Sequence, residues 1–211
     1  MDIIVGTDEA GRGPVIGPLI VAIASCNRKD ESKLNELAKK DSKKLTQSQR
    51  EHIIKDLQKI CKFKYIELSA EKLNKLMDKK SLNQIEAEAM ATLIKPFHEI
   101  ADIMIDLPDR YAWVFRRRME EKGLEKFEAE HKADENYPIV AAASICAKLE
   151  RERRVAEIKQ ETGVDFGSGY PSDPKTRNTI RDRVKISALR KHIRIKWKTL
   201  DNVLQRKLFE D

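Results

Sequence analysis

Residues 3–18 read IIVGTDEAGRGPVIGP, and the fold of the whole chain is inferred outward from them. An apolar run, Ile3, Ile4 and Val5, leads into two adjacent carboxylates, Asp8 and Glu9, and then into a glycine and proline turn holding one arginine, Arg12. Such a strand delivers acid to its own end, where a carboxylate is costly unless it meets water, a metal or a cation. Gly11 and Gly13 permit backbone angles that other residues avoid and leave room for a ligand to reach the N–H groups. Carboxylates suited to a cation, beside amides and an arginine suited to a phosphate, predict metal-assisted phosphate chemistry. Each part alone is commonplace. An Asp-Glu pair is more often a solvated turn than a metal site, and GRGP by itself is a turn.

The same grammar recurs further on. Ile103, Met104 and Ile105 lead to Asp106, and Pro108 stops the strand. Asp109 is expected at the surface as a cap for the following helix, which leaves Asp106 as the third candidate acid. Residues 19–25 (LIVAIAS) predict a strand returning antiparallel to the first, residues 30–40 a polar loop with a short helix, and residues 62–68 a third strand. Thr46 with Gln49 and Ser81 with Gln84 stand at capping-box spacing, and Ser69 is a further candidate cap. The helix after Ser81 is predicted to reach residue 98, with Ile85, Ala89 and Leu93 on one stripe. Residues 111–122 predict a helix with an exposed basic patch at Arg116, Arg117 and Arg118, and residues 126–131 a last strand. Asp134 then falls in a loop, and Pro138 begins a helix whose Val140, Ala141, Ala143, Ser144 and Ala147 are small enough for close packing. Ser144 and Lys148 lie one turn apart on one face of that helix.

A chain of 211 residues holds one domain with a sizeable core, or one domain with a small appendage. With 40% hydrophobic and 36% charged residues it reads as a soluble globular protein with an ionic surface. The opening MDIIVGTDEA has neither a basic segment nor a long apolar one, so no signal peptide or membrane span is predicted. Cys26, Cys61 and Cys146 are widely spaced and odd in number, which argues against a zinc site or disulfide framework and fits a reducing, cytoplasmic setting. The net charge of +7 is concentrated, since the ten Lys and Arg residues between Lys175 and Lys198 face one acid, Asp182. That imbalance predicts a polyanionic partner, with nucleic acid favoured over mere solvated surface.

The string DEAGRGP after an apolar strand resembles the first signature of ribonuclease HII, the enzymes that cut RNA embedded in or paired with DNA. DSKKL at residues 41–45 and HKADENYPIVAAASICAK at residues 131–148 resemble later blocks of the same family, and the arginine of GRG separates the chain from the related ribonuclease HIII. The resemblance spans nearly the whole chain. It implies an α/β, ribonuclease H-like fold: a mixed sheet flanked by helices over residues 1–165, then a substrate-binding loop and a basic helical region over residues 166–211. It implies Asp8, Glu9, Asp106 and Asp134 as catalytic acids and ligands of Mg2+ or Mn2+. Gly11, Arg12, Gly13, Lys43, Ser144 and Lys148 become substrate contacts, and Asn83 lies near the nucleic acid. Tyr170, in the loop FGSGYPSDP, packs on the sugar beside the scissile linkage as in archaeal and eukaryotic forms. The implied reaction is two-metal-ion hydrolysis of the RNA strand of RNA/DNA hybrids, and at ribonucleotides within duplex DNA, leaving 5'-phosphate and 3'-hydroxyl ends. The implied setting is DNA replication and repair, and the expected state a monomer.

Four carboxylates brought together cannot all stay ionised without cations, and hard oxygen ligands suit Mg2+ or Mn2+. One geometric difficulty stands. Neighbouring strand residues point to opposite faces, so Asp8 and Glu9 serve one ion only if the strand bends at Glu9 or if Glu9 offers its backbone carbonyl. Two other readings stay open: a non-catalytic nucleic-acid-binding module, and a DNA-only nuclease of the same superfamily. Gln205 and Leu208 begin a sliding-clamp binding box that lacks its two aromatics, so no clamp partner is inferred.

Overall fold

The structure is a computed structural model that describes residues 1–38, 45–197 and 200. They form two compact units, the first drawn from Met1–Ala10, Ile20–Ile66 and Ser81–Glu150, the second from Gly11–Leu19, Glu67–Lys80 and Arg151–Asp211. Strands β1 (Ile3–Ala10), β2 (Leu19–Asn27), β3 (Cys61–Leu68), β4 (Ala101–Asp106) and β5 (Glu128–Glu130) make a mixed sheet in the order β3-β2-β1-β4-β5. The described helices are α1 (Glu31–Ala38), α2 (Gln47–Leu57), α3 (Ala70–Leu76), α4 (Leu82–Ile94), α5 (Ala112–Glu120), α6 (Ala133–Asn136), α7 (Pro138–Thr162), α8 (Pro174–Arg181) and α9 (Arg183–Ala188). None is long and apolar enough to cross a membrane.

In the first unit β1 returns antiparallel along β2, with Ile3 opposite Asn27 and Ala10 opposite Ile20. It also runs parallel to β4, with Ile3 beside Ala101 and Thr7 beside Ile105. β5 is shorter than the predicted strand and pairs parallel to β4, Glu130 beside Asp106. Because side chains alternate along a strand, Ile4, Gly6 and Asp8 share one face with Met104, Asp106 and Glu130. The N-terminal part of α7 covers that face. A Cβ on Gly6 would sit 2.5 Å from the backbone of Ile139, so a glycine is required for this approach. Ala141, Ala142 and Ala143 then pack in one core with Ile4, Ala24, Leu34, Leu57 and Met104.

Local signals hold where side chains satisfy helix ends. Thr46 and Ser81 each form a complete capping box, with Gln49 and Gln84, and Ser69 caps α3. α4 stops at Ile94, short of residue 98, and continues as a 3-10 turn over Lys95–Phe97. Pro96 has no N–H to continue the α-helical ladder, which accounts for the change. The polar stretch after Asp30 is a two-turn helix, α1, anchored by buried Leu34 and Ala38. Cys26, Cys61 and Cys146 are buried free thiols.

The second unit is organised around Arg194, which is fully buried. Its Nε donates to the Gly17 carbonyl at 2.8 Å, Nη2 to Gly11 at 2.7 Å and Nη1 to Arg12 at 3.2 Å, with the guanidinium 4.7 Å from the Trp197 ring. The strand-like bridge of Ile16 to Ile193 and the bond from Asn74 Nδ2 to the Ile193 carbonyl, 2.8 Å, pin the same segment. Four more cations between Lys175 and Lys198 are likewise engaged. Lys175 pairs with Asp165, Lys185 with Asp182 at 3.2 Å and Lys196 with Asp78 at 2.6 Å, while Arg177 donates to the carbonyls of Pro171 and Ser172. Acids remote in sequence supply part of this compensation, so counting charge along the segment overstates the free positive charge. Arg190 and Lys191 stay exposed, and Lys198 lies outside the described residues.

Replacing Arg194 by Met keeps most of the volume and orphans buried carbonyls, each worth about 1–3 kcal/mol. Arg194→Met is therefore expected to cost about 3 kcal/mol or more in chemical denaturation. A loss below about 1 kcal/mol would show those bonds to be incidental.

Candidate active site

Asp8 is the most deeply set of the candidate acids, 4% exposed. β1 stays regular through its end, with Glu9 opposite Val21 and Ala10 opposite Ile20. Alternation therefore turns Asp8 toward α7 and Glu9 to the other face. The β1–β2 register runs on through Glu9 without the bend that the sequence left open. The pairing of β1 with β4 ends at Thr7 and Ile105, so Asp8 and Asp106 each follow the last paired residue and by alternation point to the same face. Burial first, then the charges of Glu9 and Asp106, push the Asp8 carboxyl well above the usual carboxylate range. The Ser144 hydroxyl and the Glu9 N–H, which donates to Asp8 Oδ1 at 2.7 Å, oppose that shift. Ser144 is fully buried, and its Oγ has no partner with full hydrogen-bond geometry among the described residues, so its contact with Asp8 is an approach, not a formed bond.

Asp106 reaches the fourth acid through the backbone. Its Oδ1 accepts the Ala133 N–H at 2.8 Å, fixing the turn that carries Asp134. Lys132, at φ 60°, reverses the chain from β5 into α6, so Asp134 sits in a one-turn helix and not in the predicted loop. Glu130 closes this turn from the strand side, accepting from Asn136 Nδ2 at 2.9 Å and from the Tyr137 hydroxyl at 3.3 Å. The sequence reading missed Glu130. Its signal was the alternation of residues 126–131, which leaves Glu128 and Glu130 on one face, but only the parallel register brings that face beside Asp106.

Asp109 is not a surface cap. It is 3% exposed, bonded by Arg118 and by Asn83 Nδ2. Asn83, expected near nucleic acid, thus helps hold Asp109, and Arg118 is withdrawn from the predicted basic patch. Arg116 is also occupied, lying 4.6 Å from the Phe127 ring and donating to the Phe127 carbonyl at 3.0 Å.

Among the described residues no three His, Cys, Asp or Glu side chains gather closely enough to enclose an ion. The charges of Glu9 and, less strongly, Asp106 reach the Asp8 carboxyl. The donor chemistry of these acids fits a hard divalent cation, since a buried carboxylate beside a second one is where such a charge offsets repulsion.

In the second unit Gly11 has φ 90°, and a Cβ on it would fall 2.6 Å from Arg151 Cδ and Nε and from the Pro18 carbonyl oxygen. The space that a side chain at Gly11 would need is filled by Arg151 and Pro18. Gly13 lies beside Tyr170, where a Cβ would be 3.4 Å from Cε1 of the ring. Tyr170 is half-buried and stacked under Arg151, whose Cζ is 4.9 Å from the ring centroid. Arg12 is half-buried with its carbonyl held by Arg194, and Lys148 is half-buried on α7. Lys43 lies outside the described residues, as do Gln205 and Leu208.

The sequence profile of the ribonuclease HII family matches residues 5–200. The ribonuclease HII of Archaeoglobus fulgidus is 45% identical over 206 residues, covering 96% of this chain and 97% of that one. One from Methanococcus maripaludis is 42% identical over 211 residues, covering 96% and 87%. Among solved structures, the Archaeoglobus fulgidus PCNA:ribonuclease HII complex matches with TM-score 0.84 at 42% identity, covering 93% of this chain and 95% of that one. The Pyrococcus horikoshii ribonuclease H2 matches with TM-score 0.82 at 33% identity, covering 98% and 99%. With its profile matched from β1 to beyond Trp197 and these relatives covered over nearly their full length, the chain belongs to the ribonuclease HII family and is a hydrolase of the ribonuclease H type.

Proposed function

We propose that this chain is a divalent-metal-dependent endoribonuclease that cuts the RNA strand of RNA/DNA hybrids and the linkage at single ribonucleotides within duplex DNA, leaving 5'-phosphate and 3'-hydroxyl ends. The observation that carries the reading is the placing of Asp8 and Asp106 on one face just past the last paired residues of two parallel strands, with Asp8 buried and its carboxyl reluctant to ionise. A position that costs stability in the free protein is understandable if its charge is used when a cation is bound.

Asp8, Asp106, Asp134 and the Glu9 carbonyl would hold Mg2+ or Mn2+, with the Glu9 carboxylate serving a second ion or the 2'-hydroxyl. When bound, two such ions supply an activated water and charge stabilisation at the leaving oxygen. The chain's own residues do the positioning. Asp106 and Glu130 hold the Asp134 turn, and half-buried Lys148, with Ser144 one turn before it and buried beside Asp8, would serve the substrate backbone. Gly11, Arg12 and Gly13, with Tyr170 beside them, would test the ribose and adjacent phosphate, since the 2'-hydroxyl is what separates RNA from DNA. Exposed Arg190 and Lys191, and Lys43, would contribute sequence-independent backbone contacts.

Asp8→Asn is expected to abolish cleavage while leaving the duplex dissociation constant within about threefold, the pattern of an interaction made mainly in the transition state. An equal loss of binding, measured by fluorescence anisotropy, would make Asp8 a structural residue instead. On paired duplexes that differ by one embedded ribonucleotide, the wild-type protein with Mg2+ is expected to cut only the ribonucleotide-containing one. Cleavage of all-DNA duplex at a similar rate would move the chain to the DNA-only reading.

Stability should also report on Asp8. Its carboxyl is raised in the folded state, so in metal-free buffer the stability it allows is full below about pH 4, the usual carboxylate value, and is lost as pH climbs toward the raised value. Metal-free Asp8→Asn is therefore expected to melt above wild type at pH 7, with the gap closing below about pH 4. Mg2+ should raise the wild-type melting temperature more than that of the variant. Identical metal responses would remove Asp8 from the ligand set.

A further inference from the structure

Arg151 lies on α7, beyond the part of that helix that covers Asp8. It is 9% exposed, and its Nε is buried without a hydrogen-bond partner among the described residues. Nη2 donates to the Ser168 carbonyl at 2.9 Å, and the guanidinium lies 4.9 Å from the Tyr170 ring centroid. Its Cδ and Nε fill the space that Gly11 leaves by having no side chain, and Nη2 is 3.6 Å from where a Cβ on Gly169 would stand. One side chain thus touches the start of the Gly11–Leu19 segment, the backbone of the loop before Tyr170, and the Tyr170 ring itself. Burying a guanidinium is costly, and here the offset comes from a carbonyl and a π face. Only a planar cation satisfies both, since a lysine ammonium neither stacks flat nor presents a fork of donors. The arrangement has a cost and a definite geometry, and what that geometry fixes is the Tyr170 ring beside Gly13.

We propose that Arg151 is a positioning residue for ribose specificity: it sets the separation between the Tyr170 ring and the Gly11 to Gly13 backbone, so that a sugar bearing a 2'-hydroxyl is held in register for cleavage. The proposal rests on the reading of Tyr170 as the residue that contacts the ribose. It assigns to the first glycine of GRG a second purpose, that of admitting Arg151.

The test is a double-mutant cycle on the full chain with Mg2+ and a duplex carrying one ribonucleotide, measuring kcat, KM and the duplex dissociation constant for Arg151→Met, Arg151→Lys, Tyr170→Ala and the two doubles. Misplacing a sugar contact is expected to lower kcat by about tenfold or more while the dissociation constant stays within about threefold. Because Arg151 acts through Tyr170, each double variant should be no slower than Tyr170→Ala alone, within about twofold. If the losses multiply, or if Arg151→Met cleaves as wild type does, Arg151 does not position Tyr170 and the proposal fails while the ribose reading stands. If Tyr170→Ala itself leaves kcat unchanged, the ribose reading fails and takes the proposal with it. Should Arg151→Met not fold, Arg151→Lys, which keeps the charge and loses the stacking, decides the same cycle.

Discussion

The parallel pairing of β1 with β4 is the constraint on which the first unit's chemistry depends. It sets Asp8 and Asp106 on one face just past its last paired residues, and α7 then seals that face because Gly6 lets the Ile139 backbone come close. The result is a buried carboxylate whose ionisation is opposed first by desolvation and then by Glu9 and Asp106. Were Gly6 any larger residue, α7 would stand off, water would enter and Asp8 would be an ordinary strand-end acid. The tension between stability and chemistry thus starts at a glycine with no chemistry of its own.

The pairing of Asp106 with Glu130 organises the turn after β5. Asp106 is bound through its side chain to the Ala133 N–H, and Glu130, next to it across the sheet, accepts from Asn136 and Tyr137. Two acids that could have repelled each other are each given donors from one short turn, which fixes the helix carrying Asp134.

In the second unit two buried arginines act on one loop by different means. Arg194 gathers the carbonyls of Gly11, Arg12 and Gly17 with its fork of donors, and Arg151 uses its flat face on Tyr170 and one donor on Ser168. Both need arginine's planar geometry, which explains how a segment dense in positive charge folds while part of that charge is turned inward.

Much of this was legible in order of locality. The strand ending in Asp8 and Glu9, its antiparallel return, the caps at Thr46, Ser69 and Ser81, and the proline start of α7 are all readable because each depends on neighbours within a few residues. Asp109 was misjudged because Arg118 and Asn83 reach it from other helices, and Glu130 was passed over because its meaning comes from strand register. The free charge of the basic segment was overestimated because Asp78 and Asp165 lie outside the segment. By itself, then, the sequence determined the elements, their ends and the family-specific blocks of residues, since hydrophobic period, capping and turn chemistry act along the chain. Only the tertiary structure decided which carboxylates share a face, that Glu9 turns away from Asp8, and that Gly11 makes room for an arginine, since burial and register arise only when distant segments pack.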